Sequence, residues 1–577
     1  MCRYVGTPTL TEDFVHKRYL SLLFFPAVLC AQVVTPLPAG TQPAPDPTLA
    51  CTIEGAAVDA STGQPVRNAS IVLRPGPGSS SSATASAAST DNEGKFAIKG
   101  IVAGTYRLTA AHSGYLQTEY GARRPGGSGS TISLSPEQTL RALVLRMYRQ
   151  GVIAGRVVDD AGDSVERAQV SALQYQYVGR DRQLLQTDST NTDDQGNYRI
   201  FGLAPGRYIL RAQTQSLIMG QTSDVQSEYA YLPAYYPGTS DESLATPLDL
   251  GAGAQLPGID FTLAKSRVYR VQLQVQNQTG AAGRIMVMLQ ARQAVFTPGS
   301  SRINPVDAKN KLDLRNISPG SYILMASMSD QNQIYSGRVD IEVVDRDLEN
   351  IVIPLRPCPE LAGEVKTEDD APISFASLRV TLASPTSVRV STGGLVTSAI
   401  GFGTSVAEKV GDDGKFVLHD IFPDSPRPTV SPLPDGFYVK SIQLNDQEVL
   451  ESGLDFSHGA GGPLRFVLSG KAGTVQGVVG DDDDNPAASA TVVLVPKSDT
   501  RRALPQFYKI ATTNQQGQFT IRNVDPGDYR VFAWEDVETG AWLDPDFVKP
   551  FDSKATGLTV DPSGHPQFRL KSIPAGK

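Results

Sequence analysis

Aromatic side chains are the residues of this 577-residue sequence best suited to binding a ligand. Their flat faces stack on sugar rings, and in protein interfaces they anchor a partner. The alternative for each of them is packing beneath a long loop or at a domain junction. Tyrosines crowd one stretch of the chain, and both tryptophans lie near its C-terminal end. Six residues are therefore candidate ligand-binding residues: Tyr229, Tyr231, Tyr235, Tyr236, Trp534 and Trp542.

Residues that could carry catalysis are scarce. The five histidines are scattered, and none has the His-x-x-Glu or His-Glu-x-x-His spacing that a zinc peptidase needs. The sequence also lacks Gly-x-Ser-x-Gly, the turn that presents a nucleophilic serine. We therefore predict no enzyme activity, no catalytic residue and no cofactor.

An acidic run, Asp481–Asp484, is a candidate cation site. Calcium prefers several carboxylate oxygens, and four consecutive aspartates supply them. The run also falls where the first hairpin turn of a repeated unit is expected, which would leave the carboxylates in water. The sequence leaves both interpretations open, and we assign no metal ligand.

The elements that position these residues come from a phrase that the chain repeats. It reads DNEGKFAIKGIVAGTYRLTA from Asp91, DDQGNYRIFGLAPGRYILRA from Asp193 and NQQGQFTIRNVDPGDYRVFA from Asn514, with weaker copies around Asn310 and Gly414. Alternating apolar residues predict a half-buried strand on each side of a turn that is usually Pro-Gly. The Pro-Gly pairs favour a type II turn. The tyrosine that follows is placed to hydrogen-bond a nearby backbone carbonyl, as at the corner of an immunoglobulin-like sandwich.

Five copies of the phrase predict an all-β chain, an array of about five immunoglobulin- or transthyretin-like Greek-key β-sandwich domains. High contents of glycine (53) and proline (40) fit many short strands joined by turns. The predicted domains are residues 51–149, 150–266, 267–356, 357–470 and 471–577. We expect these domains to form an extended string of separate cores.

The sequence resembles the carboxypeptidase regulatory-like domain, the transthyretin-like sandwich found beside the catalytic domain of some metallocarboxypeptidases. The matching residues are Gly55, Asp59, Pro65, Val66, Ala69 and 94–110 in the first domain, Gly155, Val157, Asp159, Ala168 and 196–212 in the second, and Gly477, Val478, Pro486, Ala490 and 517–533 in the last. The third and fourth domains match loosely. Other stretches are similar to tandem proteins of this kind from environmental bacteria. The resemblance implies a non-catalytic domain and, because such domains are grouped with carbohydrate-binding-like folds, a possible carbohydrate ligand.

The N-terminal residues predict export. The basic triplet His16-Lys17-Arg18 precedes the apolar run YLSLLFFPAVLCA, which is the pattern of a secretory signal peptide over residues 1–31. A Pro-rich linker, residues 32–50, follows. The apolar run is too short to span a bilayer comfortably, and we predict no transmembrane segment after it. We expect a periplasmic, outer-surface or secreted protein.

Charge and cysteine content restrict the partners. Fifty-two basic and sixty acidic residues give a net charge of −8 without a basic stripe, so we expect no nucleic-acid partner. Two cysteines, Cys51 and Cys358, remain after the predicted signal peptide. Because three domains of a string would separate them, we predict two unpaired thiols.

Two functions are compatible with these observations. The first is an exported, non-catalytic binding protein for carbohydrate or another cell-envelope polymer. The second is a structural or adhesive spacer that contacts protein partners at the cell surface. Exposed aromatics in a concave polar surround would favour the first function, and buried aromatics would favour the second.

Overall fold

A computed structural model describes residues 50–76, 84–127, 129–214, 228–292, 301–330, 333–368, 371–383, 390–392, 395–397, 407–419, 421, 427–455 and 461–574. The chain divides into two units, Met1–Asp46 and Pro47–Lys577, and the fold reported below belongs to the second. The predicted signal peptide and all but the last residue of the predicted linker lie outside the described residues.

Short strands build five β-sandwiches along the chain. The first contains Cys51–Asp59, Ser70–Pro75, Ser86–Ser89, Lys95–Ile101, Gly104–Ala111, Thr118–Glu119, Ile132–Leu134 and Thr139–Met147. The second contains Gly151–Asp159, Ala168–Val178, Asp181–Asn191, Asn197–Leu203, Gly206–Thr214, Ala234–Tyr235, Leu248–Leu250, Gln255–Leu256 and Phe261–Leu263, with the 3-10 turn Glu242–Leu244. A two-stranded ribbon, Tyr229–Tyr231 with Lys265–Arg267, follows the second sandwich.

The other three sandwiches have the same plan. The third contains Tyr269–Gln276, Ile285–Ala291, Ser301–Pro305, Lys311–Ile317, Gly320–Asp330, Gln333–Val343, Leu348–Pro354 and Arg356–Pro357. The fourth contains Leu361–Thr367, Arg379–Ala383, Val390–Thr392, Leu395–Thr397, Ala407–Lys409, Lys415–Leu418, Arg427–Ser431, Tyr438–Leu444, Gln447–Glu448 and Leu464–Ser469, with the 3-10 turn Phe375–Ser377. The fifth contains Gly473–Gly480, Thr491–Pro496, Lys509–Thr512, Gln518–Val524, Gly527–Trp534, Thr556–Val560 and Gln567–Lys571. Its helical turns are Asp499–Arg502, Pro505–Phe507, Ala541–Leu543, Pro545–Val548 and Lys549–Lys554.

One strand arrangement recurs in all five sandwiches. The first strand lies between the strand that follows the repeated turn, to which it is antiparallel, and a strand near the C-terminal end of the sandwich, to which it is parallel. In the first sandwich, for example, Ile53 is paired with Ile98 on one side and with Leu140 on the other. Each sandwich encloses its own apolar core, with residues from both of its sheets. The predicted all-β array of sandwiches is confirmed.

The repeated phrase forms the turn and corner that its residues predict. The first turn position has a positive φ in every copy, with 73° at Gly94, 76° at Gly196 and 58° at Asn310. The corner tyrosine donates a hydrogen bond to the carbonyl four residues earlier in four of the sandwiches. These bonds are Tyr106 to Val102 (2.7 Å), Tyr208 to Ala204 (2.7 Å), Tyr322 to Ser318 (2.9 Å) and Tyr529 to Asp525 (2.8 Å).

The Pro-Gly pair differs from the predicted type II turn. A type II turn needs a φ of about 80° at its glycine, whereas φ is 158° at Gly206 and 150° at Gly527. Each of these glycines is the first residue of the next strand. The side chain of the tyrosine two residues later folds back over the glycine. Its hydroxyl thereby reaches the carbonyl oxygen of the residue two positions before the glycine. In the third sandwich the ring of Tyr322 would lie 3.4 Å from a Cβ at Gly320.

Candidate functional site

The two candidate tryptophans are buried in the fifth sandwich. Trp534 is 2% exposed and Trp542 is 6% exposed. The Trp534 ring stacks on Phe532, with ring centroids 5.0 Å apart, and meets the edge of Phe551 at 5.9 Å. Both belong to a second apolar cluster, which lies between the outer face of the sheet and the segment 535–555, and Trp542 is part of that segment. Other side chains therefore already cover these two rings in the folded chain, and their role as ligand-stacking residues stays a prediction.

The four candidate tyrosines do not form one surface either. Tyr229 is 55% exposed, whereas the other three are half-buried. The hydroxyl of Tyr231 donates to Asp159 (3.2 Å), and the Arg211 guanidinium lies 5.8 Å from the centre of the Tyr235 ring. Tyr236 packs edge-on against a core phenylalanine. Three of these tyrosines thus pack against residues of the second sandwich. Their geometry gives no support to a shared ligand-binding surface, which stays a prediction.

A buried aspartate at the end of the first strand is a recurring polar feature. In the first sandwich Asp59 accepts hydrogen bonds from the backbone of the following turn, from the Tyr115 hydroxyl (2.9 Å) and from Arg149 (2.7 Å). In the second sandwich Asp159 accepts from its own turn, from Tyr231 and from Lys265 (2.6 Å). The cation follows the last strand in both cases. Each aspartate thus ties its sandwich to the segment leading into the next one.

These contacts lower the pKa of both aspartates. The hydrogen bond from Lys265 is the main reason that the pKa of Asp159 falls to about 2, with further help from backbone N–H groups. Burial by itself would raise the pKa of Asp59, but Arg149, the turn backbone and Tyr115 outweigh it and hold that pKa well below its usual range. Both carboxylates are therefore ionised at neutral pH. The groups around them satisfy their charge, which is typical of a structural and not a catalytic carboxylate.

The acidic run of the fifth sandwich, Asp481–Asp484, is paired with a lysine side chain of the same sandwich. The Lys571 ammonium bonds to the carbonyl oxygens of Asp481 (2.9 Å) and Asp482 (3.2 Å) and to the carboxylate of Asp484 (2.7 Å). The Asp481 carboxylate accepts from the backbone of its own turn. Among the described residues, no group of three or more His, Cys, Asp or Glu side chains is placed to hold a metal ion. The same residues include no helix long and apolar enough to cross a membrane.

A set of polar contacts joins the fifth sandwich to the first, more than 350 residues earlier. Arg123 pairs with Glu535 (3.0 Å), and Arg124 pairs with Asp536 (2.7 Å). The side chain of Gln515 makes two hydrogen bonds to the backbone of Ser133 (3.2 and 3.0 Å). The hydroxyls of Ser130 and Ser489 also hydrogen-bond to each other, and both residues are buried. Donors on one sandwich face acceptors on the other across this interface, so the two sandwiches fit together in one defined orientation.

The fifth sandwich also contacts the second and the fourth. Tyr177 lies against Gly540, where an added Cβ would be 2.7 Å from the tyrosine Cβ, and Arg182 pairs with Glu538 (3.4 Å). On the other side, the Asn523 side chain hydrogen-bonds the backbone of Pro434 (3.1 Å). The expected extended string is therefore wrong. Sequence reasoning missed these contacts because each surface is assembled from loops that are far apart in the chain.

The two described cysteines are buried, and neither is part of a disulfide bond. Cys51 is 0% exposed and Cys358 is 3% exposed. The thiol of Cys51 donates to the carbonyl of Ser135 (3.0 Å), and that of Cys358 contacts the Ser336 hydroxyl (3.1 Å). The predicted pair of unbridged thiols is confirmed, although its premise of an extended string is not. Both cysteines act as small core side chains.

The fold and its buried polar anchors define an array of β-sandwich domains. A family model, "Carboxypeptidase regulatory-like domain", matches residues 52–147, 152–227 and 474–537. These three regions of the chain are therefore similar to carboxypeptidase regulatory-like domains, and together they cover less than half of its residues. These are the first, second and last sandwiches, where the repeated phrase is clearest. The comparison with curated proteins finds no match.

The solved structures that match parts of this chain include two pilins and a Bacillus anthracis protein. The Bacillus anthracis TIE protein is 12% identical, with a TM-score of 0.16, over 53% of this chain and 50% of its own. A streptococcal ancillary pilin is 13% identical, with a TM-score of 0.20, over 53% of this chain and 99% of its own. GBS52, the minor pilin of Streptococcus agalactiae, is 15% identical, with a TM-score of 0.22, over 37% and 96%. The chain thus spans half the length of the TIE structure, and scores of this size carry no inference about function.

Proposed function

We propose that this chain is an exported, non-catalytic scaffold of β-sandwiches that acts as a structural or adhesive element and contacts protein partners in the cell envelope. The observation that carries this proposal is the burial of Trp534 and Trp542. The aromatic residues that would have made a sugar-stacking surface instead build a second apolar core in the fifth sandwich. Regulatory-like domains in three positions support the same function, because such domains accompany catalytic domains without performing catalysis.

The contacts between distant sandwiches support a scaffold. Domains joined by short linkers normally move relative to one another unless an interface holds them. Here ion pairs, matched hydrogen bonds and a close glycine contact hold the fifth sandwich against the first and second. A scaffold of this kind presents surfaces from several sandwiches in a constant relative position. That property suits a protein that binds large partners without changing them.

Export is part of the proposal and rests on the sequence. The basic triplet at His16–Arg18, the short apolar run that follows and the Pro-rich linker together support a secreted precursor. N-terminal sequencing of the protein recovered from the periplasm, cell surface or medium should begin near Gln32. A precursor that retains residues 1–31 in the cytoplasm would contradict export.

Binding to envelope fractions tests the proposed partner class. Beads coated with residues 32–577 are mixed with envelope fractions of the source organism that are untreated, protease-digested or periodate-oxidised. We expect protease digestion to remove most of the binding and periodate to leave most of it, because the partners are proteins. Heat-denatured chain on the same beads is the control. Binding that survives complete protease digestion, or no binding beyond the control, would contradict the proposal.

A further inference from the structure

A cleft of about 620 Å³ opens at one end of the first sandwich, where the linker to the second begins. Three separate parts of the chain line it. Asn68 comes from the turn before the second strand, and His112, Tyr115 and Gln117 come from the loop after the fifth strand. Gln150 comes from the linker itself. Ala111 and Ser113 complete the lining, and we refer to this site as the polar cleft.

Hydrogen bonds between the loop and the linker hold the walls of the polar cleft in place. The backbone N–H of Leu116 donates to the carbonyl of Tyr148 (2.8 Å), and that of Gln150 donates to the carbonyl of Gly114 (3.0 Å). The side-chain amide of Gln150 donates to the carbonyl of Tyr115 (3.1 Å). The loop therefore has a defined position before any ligand arrives. Such preorganisation reduces the entropy that binding would otherwise cost.

The aromatic wall of the polar cleft is also fixed. Asp59 holds the Tyr115 hydroxyl at 2.9 Å, and the Arg149 guanidinium lies 5.5 Å from the ring centre. The His112 ring meets the tyrosine ring edge-on, with centroids 5.5 Å apart. One ring nitrogen of His112, Nδ1, contacts the carbonyl of Ser113 (2.8 Å), so that the other nitrogen remains for a ligand.

The polar groups in the cleft include the amides of Asn68, Gln117 and Gln150, beside the His112 imidazole and the Ser113 hydroxyl. Asn68 and Gln117 are exposed, and no described residue hydrogen-bonds their side chains. No Asp, Glu, Lys or Arg side chain lines the cleft among the described residues. The neighbouring Arg149 is engaged by the Asp59 carboxylate at 2.7 Å. A lining without carboxylate, ammonium or guanidinium groups offers little to an ion, whereas each amide supplies both donors and an acceptor.

We propose that the polar cleft binds a neutral saccharide unit. Each sugar hydroxyl both donates and accepts, and so matches the amides of Asn68 and Gln117, while the apolar C–H groups of the sugar pack beside the Tyr115 and His112 rings. The volume lies within the range of about 300–1,000 Å³ that is usual for small-ligand sites. This site goes beyond the proposed protein contacts, and purified saccharides test it separately from the envelope-binding experiment.

Calorimetric titration of residues 32–577 with neutral trisaccharides of the malto-, cello-, xylo- and chito- series provides the test. We expect at least one series to bind, and the double variant Asn68→Gly/Gln117→Ala to raise its Kd at least tenfold. Glycine is chosen at position 68 because φ is 55° there. Gln64→Ala is the matched control, since Gln64 is an exposed amide of the same sandwich that does not line the cleft. This control should leave the Kd unchanged.

A measurement without any substitution guards against a variant that fails to fold. In proton NMR spectra of the native chain, the imidazole signals of His112, assigned with His112→Asn, should shift on addition of the binding trisaccharide. The absence of binding by all four series at about 10 mM would overturn the proposal. So would binding that the double variant retains. Binding of neutral peptides that the double variant loses would also overturn the saccharide class.

Discussion

Glycine in the first strand of a sandwich makes room for an aromatic ring on the neighbouring strand. Gly477 is paired with Phe519, and an added Cβ would lie 2.5 Å from the carbonyl oxygen of Phe568 and 2.8 Å from the Phe519 ring. Gly55, opposite Phe96, shows the same crowding, with the ring 2.8 Å from an added Cβ. Steric space, not backbone flexibility, explains the glycine at this position of the repeat.

We expect Gly477→Ala to destabilise the fifth sandwich by about 1–3 kcal/mol, because the added methyl overpacks a site bounded by backbone and ring. Urea unfolding followed by tryptophan fluorescence measures this, since both tryptophans of the chain lie in this sandwich. Gly557→Ala is the control, because nothing lies within 4 Å of its Cβ position. An equal effect of the two substitutions would contradict the steric explanation.

The buried aspartates connect stability to pH. Because the folded-state pKa of Asp159 is about 2 and the ordinary value is 3.8, its ionised form is favoured by folding. Its contribution is complete above about pH 4 and is lost as the pH falls through about 2.

We therefore expect Asp159→Asn to lower the urea midpoint of the second sandwich at pH 7, and the difference from the parent chain to shrink as the pH falls from 4 to 2. Circular dichroism at several pH values measures both midpoints. Asp160→Asn, at the exposed neighbour, should have little effect at any pH. A difference that stays constant with pH would show that the ionised carboxylate is not the stabilising group.

At the scale of elements, the segment 535–555 is an addition to the repeated sandwich plan. It lies between the strands Gly527–Trp534 and Thr556–Val560 and forms short helical turns. Phe547 and Phe551 from this segment contact the Trp534 ring, with centroids 6.2 and 5.9 Å away. The sheet of the fifth sandwich is consequently covered on both faces, by its own core and by this segment.

We expect acrylamide to quench the tryptophan fluorescence of the native chain only weakly, and much more strongly after unfolding, because Trp534 and Trp542 are 2% and 6% exposed. Phe551→Ala should raise quenching of the folded chain by thinning the cover over Trp534. Phe201→Ala, which removes a ring that is 63% exposed in another sandwich, should not. Strong quenching of the native parent chain would restore the tryptophans as candidates for ligand stacking.

At the scale of the whole molecule, the fifth sandwich contacts the first and second sandwiches, which are not its neighbours in the chain. Exposed ion pairs contribute only about 0–1 kcal/mol each, so the three that link it to the first and second sandwiches are modest individually. The close contact between Gly540 and Tyr177 restricts the residue at position 540 to glycine, because any side chain there would separate the two surfaces.

We expect Gly540→Ala, combined with Arg124→Glu, to release the fifth sandwich from the first two. Small-angle X-ray scattering should show a larger radius of gyration, and hydrogen exchange should quicken in the strand Ala168–Val178. Gly126→Ala with Arg141→Glu is the control. Gly126 shares the positive φ (71°) but has no atom near its Cβ position, and Arg141 pairs with Glu54 of its own sandwich. An unchanged radius for the first variant would contradict the interface.

Local chemistry made much of the fold predictable. Alternation of apolar residues, glycine or Asn310 at a positive φ, and the corner tyrosine act over a few residues, so the strands, turns and five repeats could be inferred from the chain alone. The regulatory-like resemblance is confirmed in the three regions where that local pattern is intact. The turn at Pro205-Gly206 was mispredicted because the tyrosine that follows, and not the Pro-Gly pair itself, sets the glycine conformation.

Only the tertiary structure decided which surfaces remain available. An aromatic residue in a loop has the same sequence signature whether water or another segment covers it, and Trp534 is covered by residues that follow it in the chain. Arg123 and Glu535 are 412 positions apart, and nothing in the local pattern of either residue indicates the other. The polar cleft likewise joins Asn68, Gln117 and Gln150 from separate segments. Sequence therefore determined the repeated β-sandwich plan, and long-range packing determined which surfaces are buried and which are exposed, because burial and juxtaposition depend on contacts that local periodicity does not encode.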